Sequence, residues 1–173
     1  MFRTLDRIYL GAAVLAAGAI GAICLLVTAQ LALNAGTRAG LPLPPTIPSY
    51  ADISGYLLAA ATFLALPWTL RSGGHVRVSL VAARRGRRAG LAVELGVIAA
   101  ATAFCGYACV YAALLLGESW RFGDTSTGIL AIPIWAVQVP MVAGLALLTL
   151  SLMQSGIETW VAGAPVLTDG EEA

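Results

Sequence analysis

The sequence predicts an all-α integral membrane protein with four transmembrane helices and both termini cytoplasmic. Three observations carry that prediction. Of the 173 residues, 59% are hydrophobic and 11% charged, whereas a soluble domain carries about 25% charged residues. Four apolar segments follow one another, each suited to crossing about 30 Å of hydrocarbon. The ten positive charges, all Arg, are unevenly placed. Residues 71–88, RSGGHVRVSLVAARRGRR, hold six of them, with the only histidine and no acidic residue. Short cytoplasmic loops keep an excess of basic residues, so this loop should face the cytoplasm and orient everything else.

The chain reads as one membrane domain, 1–173, without internal repeats. Its start, MFRTLDRIY, carries two arginines and leads into an apolar run too long for a signal-peptide core. The first segment, roughly 8–33, is therefore expected to stay as an uncleaved helix. Gly18 and Ala22 form a small-xxx-small pair there, a spacing that lets another helix approach closely. Residues 34–52, NAGTRAGLPLPPTIPSYAD, hold four prolines and two glycines. That content excludes a regular helix and marks an outward-facing loop.

The second helix is expected over roughly 53–70. Asp52 at its start can cap free N–H groups and favours the positive end of the helix dipole. Pro67 should kink or end the helix, and Trp68 belongs at the membrane interface. The arginine loop, 71–90, follows. Gly73 and Gly74 allow a sharp turn. From His75 to Ala83 the apolar Val76, Val78, Leu80 and Val81 suit a short amphipathic piece on the membrane surface. Arg77, Arg84, Arg85, Arg87 and Arg88 would then meet anionic headgroups.

The third helix is expected over roughly 91–116. Glu94 lies inside this apolar run, and an intramembrane carboxylate is a functional candidate by default. It stands about one turn from the cytoplasmic end, where it can snorkel to water or pair with Arg87, Arg88 or another subunit. Gly96 and Ala100 form a second small pair. Residues 117–130, GESWRFGDTSTGIL, make a second outer loop with Trp120 at the interface. The fourth helix, roughly 131–161, is bracketed by Trp135 and Trp160. Pro133 is acceptable in a first turn, whereas the interior Pro140 should kink the helix. The tail, 164–173, is polar and acidic and is expected to be disordered. On this layout eight arginines face the cytoplasm and two, Arg38 and Arg121, face outward, which is the positive-inside pattern.

Most catalytic chemistries lack their residues. Transmembrane haem ligation wants histidines on facing helices, and His75 lies in a loop. A thiol redox site wants a paired cysteine motif; Cys24, Cys105 and Cys109 form none and read as small apolar residues. An intramembrane serine protease needs a His or Lys at membrane depth. A zinc site needs converging His, Cys or carboxylate ligands. A phosphate loop needs its lysine, and the chain has no Lys. No enzyme, cofactor or nucleic-acid partner is expected. Two readings remain: a non-catalytic subunit buried against a larger partner, and a small proton-coupled transporter acting as a homo-oligomer around Glu94. Against the second, the first helix carries no carboxylate and no interrupted half-helices are evident.

Two stretches carry a family likeness. RSGGHVRVSL resembles the R-x-G-G-H-I-x-V-D pattern of the small membrane subunit, DctQ-type, of tripartite ATP-independent periplasmic (TRAP) transporters. Arg71, Gly73, Gly74, His75 and Val78 match, and Val76 replaces Ile. TSTGILAIPIWAVQVPMVAG is similar to the family's Thr-rich approach to the last helix, with Thr125, Pro133, Trp135, Pro140 and Gly144 matching in kind. Asp52 also fits. Ser79 stands where the family often has Asp, so an ion pair made there would be missing. The resemblance implies a small subunit that scaffolds a large multi-spanning membrane subunit, which carries the substrate and sodium sites. A separate periplasmic substrate-binding protein would deliver the solute, mostly a carboxylate or similar organic acid. It further implies the bacterial inner membrane, with membrane lipids and the large subunit meeting the loop residues.

Overall fold

The structure, a computed structural model, describes residues 3–44, 46–72 and 87–162. Among them are four α-helices: α1 (Arg3–Arg38), α2 (Tyr50–Arg71), α3 (Arg87–Phe122) and α4 (Ile134–Ala162). All four are long and apolar enough to cross a membrane. At 1.5 Å per residue, the 22-residue α2 spans about 33 Å, close to the hydrocarbon thickness. The 36-residue α1 and α3 span about 54 Å each and must tilt or protrude. Every tryptophan lies within three residues of a helix end, where an indole can keep its N–H near water.

The helix ends differ from the sequence expectation for identifiable reasons. Residues 34–38, expected in the proline-rich loop, continue α1. The first proline is Pro42, so nothing before it removes a helical N–H. Termination comes from Gly40, whose φ of 85° turns the chain left-handed. Gly40 N–H donates to the Thr37 carbonyl and Leu41 N–H to the Gly36 carbonyl, both at 3.1 Å, the paired bonds of a Schellman stop. Residues 117–122 likewise extend α3 until Gly123, at φ 65°, where Asp124 N–H reaches the Ser119 carbonyl. Pro67 lies inside α2 rather than ending it, and the helix runs on to Arg71. Pro133 precedes α4 instead of occupying its first turn. It pairs with Thr125 in an isolated bridge.

α1 packs on α2, α2 on α4, and α4 on α3. The helices thus stand in a row, α1–α2–α4–α3, made of two antiparallel hairpins joined through parallel α2 and α4. The buried apolar cluster, Leu70, Leu148 and Leu152 with Leu66, Ala101 and Cys105 against it, lies where α2, α4 and α3 meet. Small side chains elsewhere allow close contact. Proline at 67 leaves the Phe63 carbonyl, four residues back, without its helical donor. That carbonyl lies against Gly144 of α4, where an added β-carbon would overlap it. Gly18 and Gly96 have open space beside them instead. Among the described residues, nothing lies within 4 Å of a β-carbon at either position.

Candidate functional site

The most developed polar site lies at the end of the row where α1 begins and α2 and α4 finish. Arg71, the last residue of α2, forks onto Glu158 of α4. Its Nη1 donates to Oε2 at 2.7 Å and its Nη2 to Oε1 at 3.3 Å. The bidentate geometry gives a stronger and more directional pair than a single contact. Arg71 Nε also stands 3.6 Å from Asp6 Oδ1 of α1. Gln154, one turn before Glu158, donates to Glu158 Oε1 at 2.9 Å. Its own carbonyl oxygen accepts from the Tyr9 hydroxyl of α1 at 3.3 Å. Tyr9 is fully buried and Gln154 nearly so.

Each helix supplies what its end requires. A guanidinium at the C-terminal end of α2 meets the negative pole of that helix. A carboxylate near the C-terminal end of α4 meets the wrong pole, and the Arg71 fork offsets it. The pair is mostly shielded, with 19% and 20% of the two side chains exposed, whereas Asp6 is 46% exposed. Directly beneath lies the Leu70, Leu148 and Leu152 cluster. The network therefore closes a dry apolar seam and joins three helices. Among the described residues, no three His, Cys, Asp or Glu side chains converge as metal ligands would.

The opposite end holds a second set of ties. Gln30, buried on α1, accepts from Ile47 N–H at 2.7 Å and from the Thr46 hydroxyl at 3.4 Å. This pins the proline-rich connection back on its own helix. Ser49, the residue before α2, has φ 54° and makes no side-chain cap. Its hydroxyl instead accepts from Leu130 N–H at 3.1 Å, joining the α1–α2 and α3–α4 connections. Asp52 lies in the first turn of α2 rather than at the capping position. Its carboxylate borders Gly128, where a β-carbon would collide with it. Trp135 meets Trp120 edge-on, with centroids 4.6 Å apart.

The residues singled out from the sequence are therefore divided. Arg71 joins the three-helix network. Asp52, Pro133 and Trp135 lie at the far end, each with its own partner: Gly128, Thr125 and Trp120. Glu94 sits about two turns into α3, half-buried. Arg87 and Arg88 open α3. Gly73, Gly74, His75, Arg77, Arg84 and Arg85 lie outside the described residues, as do the tail and most of the arginine loop. Sequence reasoning missed Asp6, Tyr9, Gln154 and Glu158. A signal existed: Gln154 and Glu158 are four residues apart near the end of the last apolar segment. A four-helix layout puts that point level with Arg71.

The family of tripartite ATP-independent periplasmic transporters, DctQ component, matches over residues 23–162. The matched region holds Arg71, Gln154 and Glu158 but begins after Asp6 and Tyr9. No curated protein and no solved structure matches the chain.

Proposed function

The chain belongs to the DctQ family of tripartite ATP-independent periplasmic transporters, and on that premise we propose that it scaffolds the large membrane subunit of a sodium-coupled uptake system for carboxylate-type solutes. The carrying observation is the Arg71–Glu158 fork, with Asp6, Tyr9 and Gln154 around it. It ties α1, α2 and α4 at one end, while Gln30 and Ser49 tie the connections at the other. A row held at both ends suits a rigid support beside which a partner's transport domain moves. In this reading both termini and the Arg71 end face the cytoplasm, in the bacterial inner membrane. The arginine loop, with Arg77, Arg84, Arg85, Arg87 and Arg88, meets anionic headgroups and the partner. A periplasmic protein delivers the solute from the other side.

A gentle-detergent pull-down from native membranes tests this. The expected product is a stoichiometric complex with a large multi-spanning transporter subunit. Recovery of the chain alone as a stable homo-oligomer would sink the scaffold reading and return attention to Glu94. Within the complex, Arg71→Ala should lower assembly or transport and leave solute preference unchanged. An altered solute profile with intact assembly would contradict the assigned role.

A further inference from the structure

α3 stands at one end of the row, and its substantial packing is on α4. Its outward face carries Val97, Ala100, Phe104, Tyr107, Tyr111 and Leu114, all exposed. Their spacing alternates between three and four residues, which draws one straight stripe along a helix. The stretch of α3 free of charge is bounded by Glu94 and Glu118, and Tyr107 lies one residue from its midpoint. Tyrosine in membrane proteins normally sits at headgroup level, where its hydroxyl meets water. Here Tyr107 is 62% and Tyr111 52% exposed at mid-depth, where lipid offers a hydroxyl no partner. The rings lie against each other, centroids 4.5 Å apart, and at a spacing of four residues they share one face of the helix. A hydroxyl without an acceptor in hydrocarbon is costly, so the pair calls for an acceptor at that depth.

We propose that this α3 stripe, centred on Phe104, Tyr107 and Tyr111, seats a transmembrane helix of the large subunit that presents a hydrogen-bond acceptor at mid-depth. The inference rests on the reading of the chain as a transporter subunit. The three rings supply the centre of such a seat. An aromatic side chain offers about 200 Å², so these three rings at their observed exposures present about 400 Å². That is about half of the ~800 Å² on one side of a standard interface. A second copy of this chain fits poorly. Two copies inserted in the same orientation are related by an axis along the membrane normal, so equal heights meet. The bulky half would face its own bulk, and Gly96 and Ala100 would face their own gap. A foreign helix with small residues opposite the rings and larger ones opposite Gly96 fills both.

The test places a photo-crosslinking benzoylphenylalanine at position 104 or 107, with Leu25 on α1 as the exposed control, in membranes that also hold the large subunit. Adducts with the large subunit, identified by mass, should form from 104 and 107 and not from 25. Adducts from 25 alone would move the contact to α1 and overturn the proposal, with the scaffold reading intact. Adducts between two copies of this chain would overturn it in favour of a homodimer face. No adduct at either position, with the large subunit still co-purifying, would make the stripe lipid-facing. Failure of the large subunit to co-purify from wild-type membranes would remove the scaffold reading itself. Tyr107→Phe with Tyr111→Phe keeps the rings and drops the hydroxyls. It should lower recovery of the large subunit about threefold for each hydrogen bond lost, and unchanged recovery would refute the hydrogen-bonded seat.

Discussion

Arg71 shows how far one residue's partners decide its importance. Its pair with Glu158 is bidentate and largely shielded, so removing the guanidinium strands a carboxylate in a poorly hydrated place. Breaking a fully buried pair costs about 3–5 kcal/mol. With about a fifth of each side chain exposed, Arg71→Ala should cost about 2 kcal/mol. Asp6 contributes far less, because it is nearly half exposed and its contact is 3.6 Å. Asp6→Asn should cost under about 1 kcal/mol. Unfolding midpoints of the two variants in the same detergent would separate them, and equal losses would refute the ranking. Ser49→Ala should leave Leu130 N–H without its acceptor and speed amide exchange at Leu130 severalfold, with little change in melting temperature.

At the level of helices, glycine identity divides by what lies beside it. Gly144 abuts the Phe63 backbone, and backbone cannot swing aside. Gly144→Ala should therefore separate α2 from α4 at an overpacking cost near the top of the range of about 1–3 kcal/mol, outweighing the gain of about 1 kcal/mol in helix propensity. Gly18→Ala meets open space and should be neutral or slightly stabilising in the isolated chain. Thermal unfolding of both variants checks the contrast. Composition and the length of the apolar runs made the four helices legible, because runs of membrane-crossing length leave few alternatives. The helix ends were less legible. Gly40 and Gly123, not the neighbouring prolines or Gly117, stop α1 and α3. Arg71 was legible as a charge at a boundary. Its partners were not, because Asp6 and Glu158 lie 152 positions apart in sequence and meet only once the helices are ordered in space.

For the molecule as a whole, the row leaves each terminal helix one broad side with no helix packed on it among the described residues, unlike a closed four-helix bundle. A transport path enclosed by one copy of this chain would need a ring of helices, whereas α1 and α3 stand at opposite ends. The purified chain reconstituted in liposomes should therefore carry no solute, and Glu94→Gln should change uptake by the assembled transporter only modestly. Uptake by the chain alone, abolished by Glu94→Gln, would support the proton-coupled alternative.

The double attachment of Arg71 has a consequence in time. The ribosome delivers Asp6 before Arg71 and Glu158 only 87 residues after it. A half-made protein, with α1 and α2 inserted, already holds a counter-ion for Arg71, and the stronger one arrives with the last helix. Asp6 thus matters most while the chain is unfinished. Asp6→Asn should reduce the yield of correctly inserted protein during synthesis more than it lowers the melting temperature of the product.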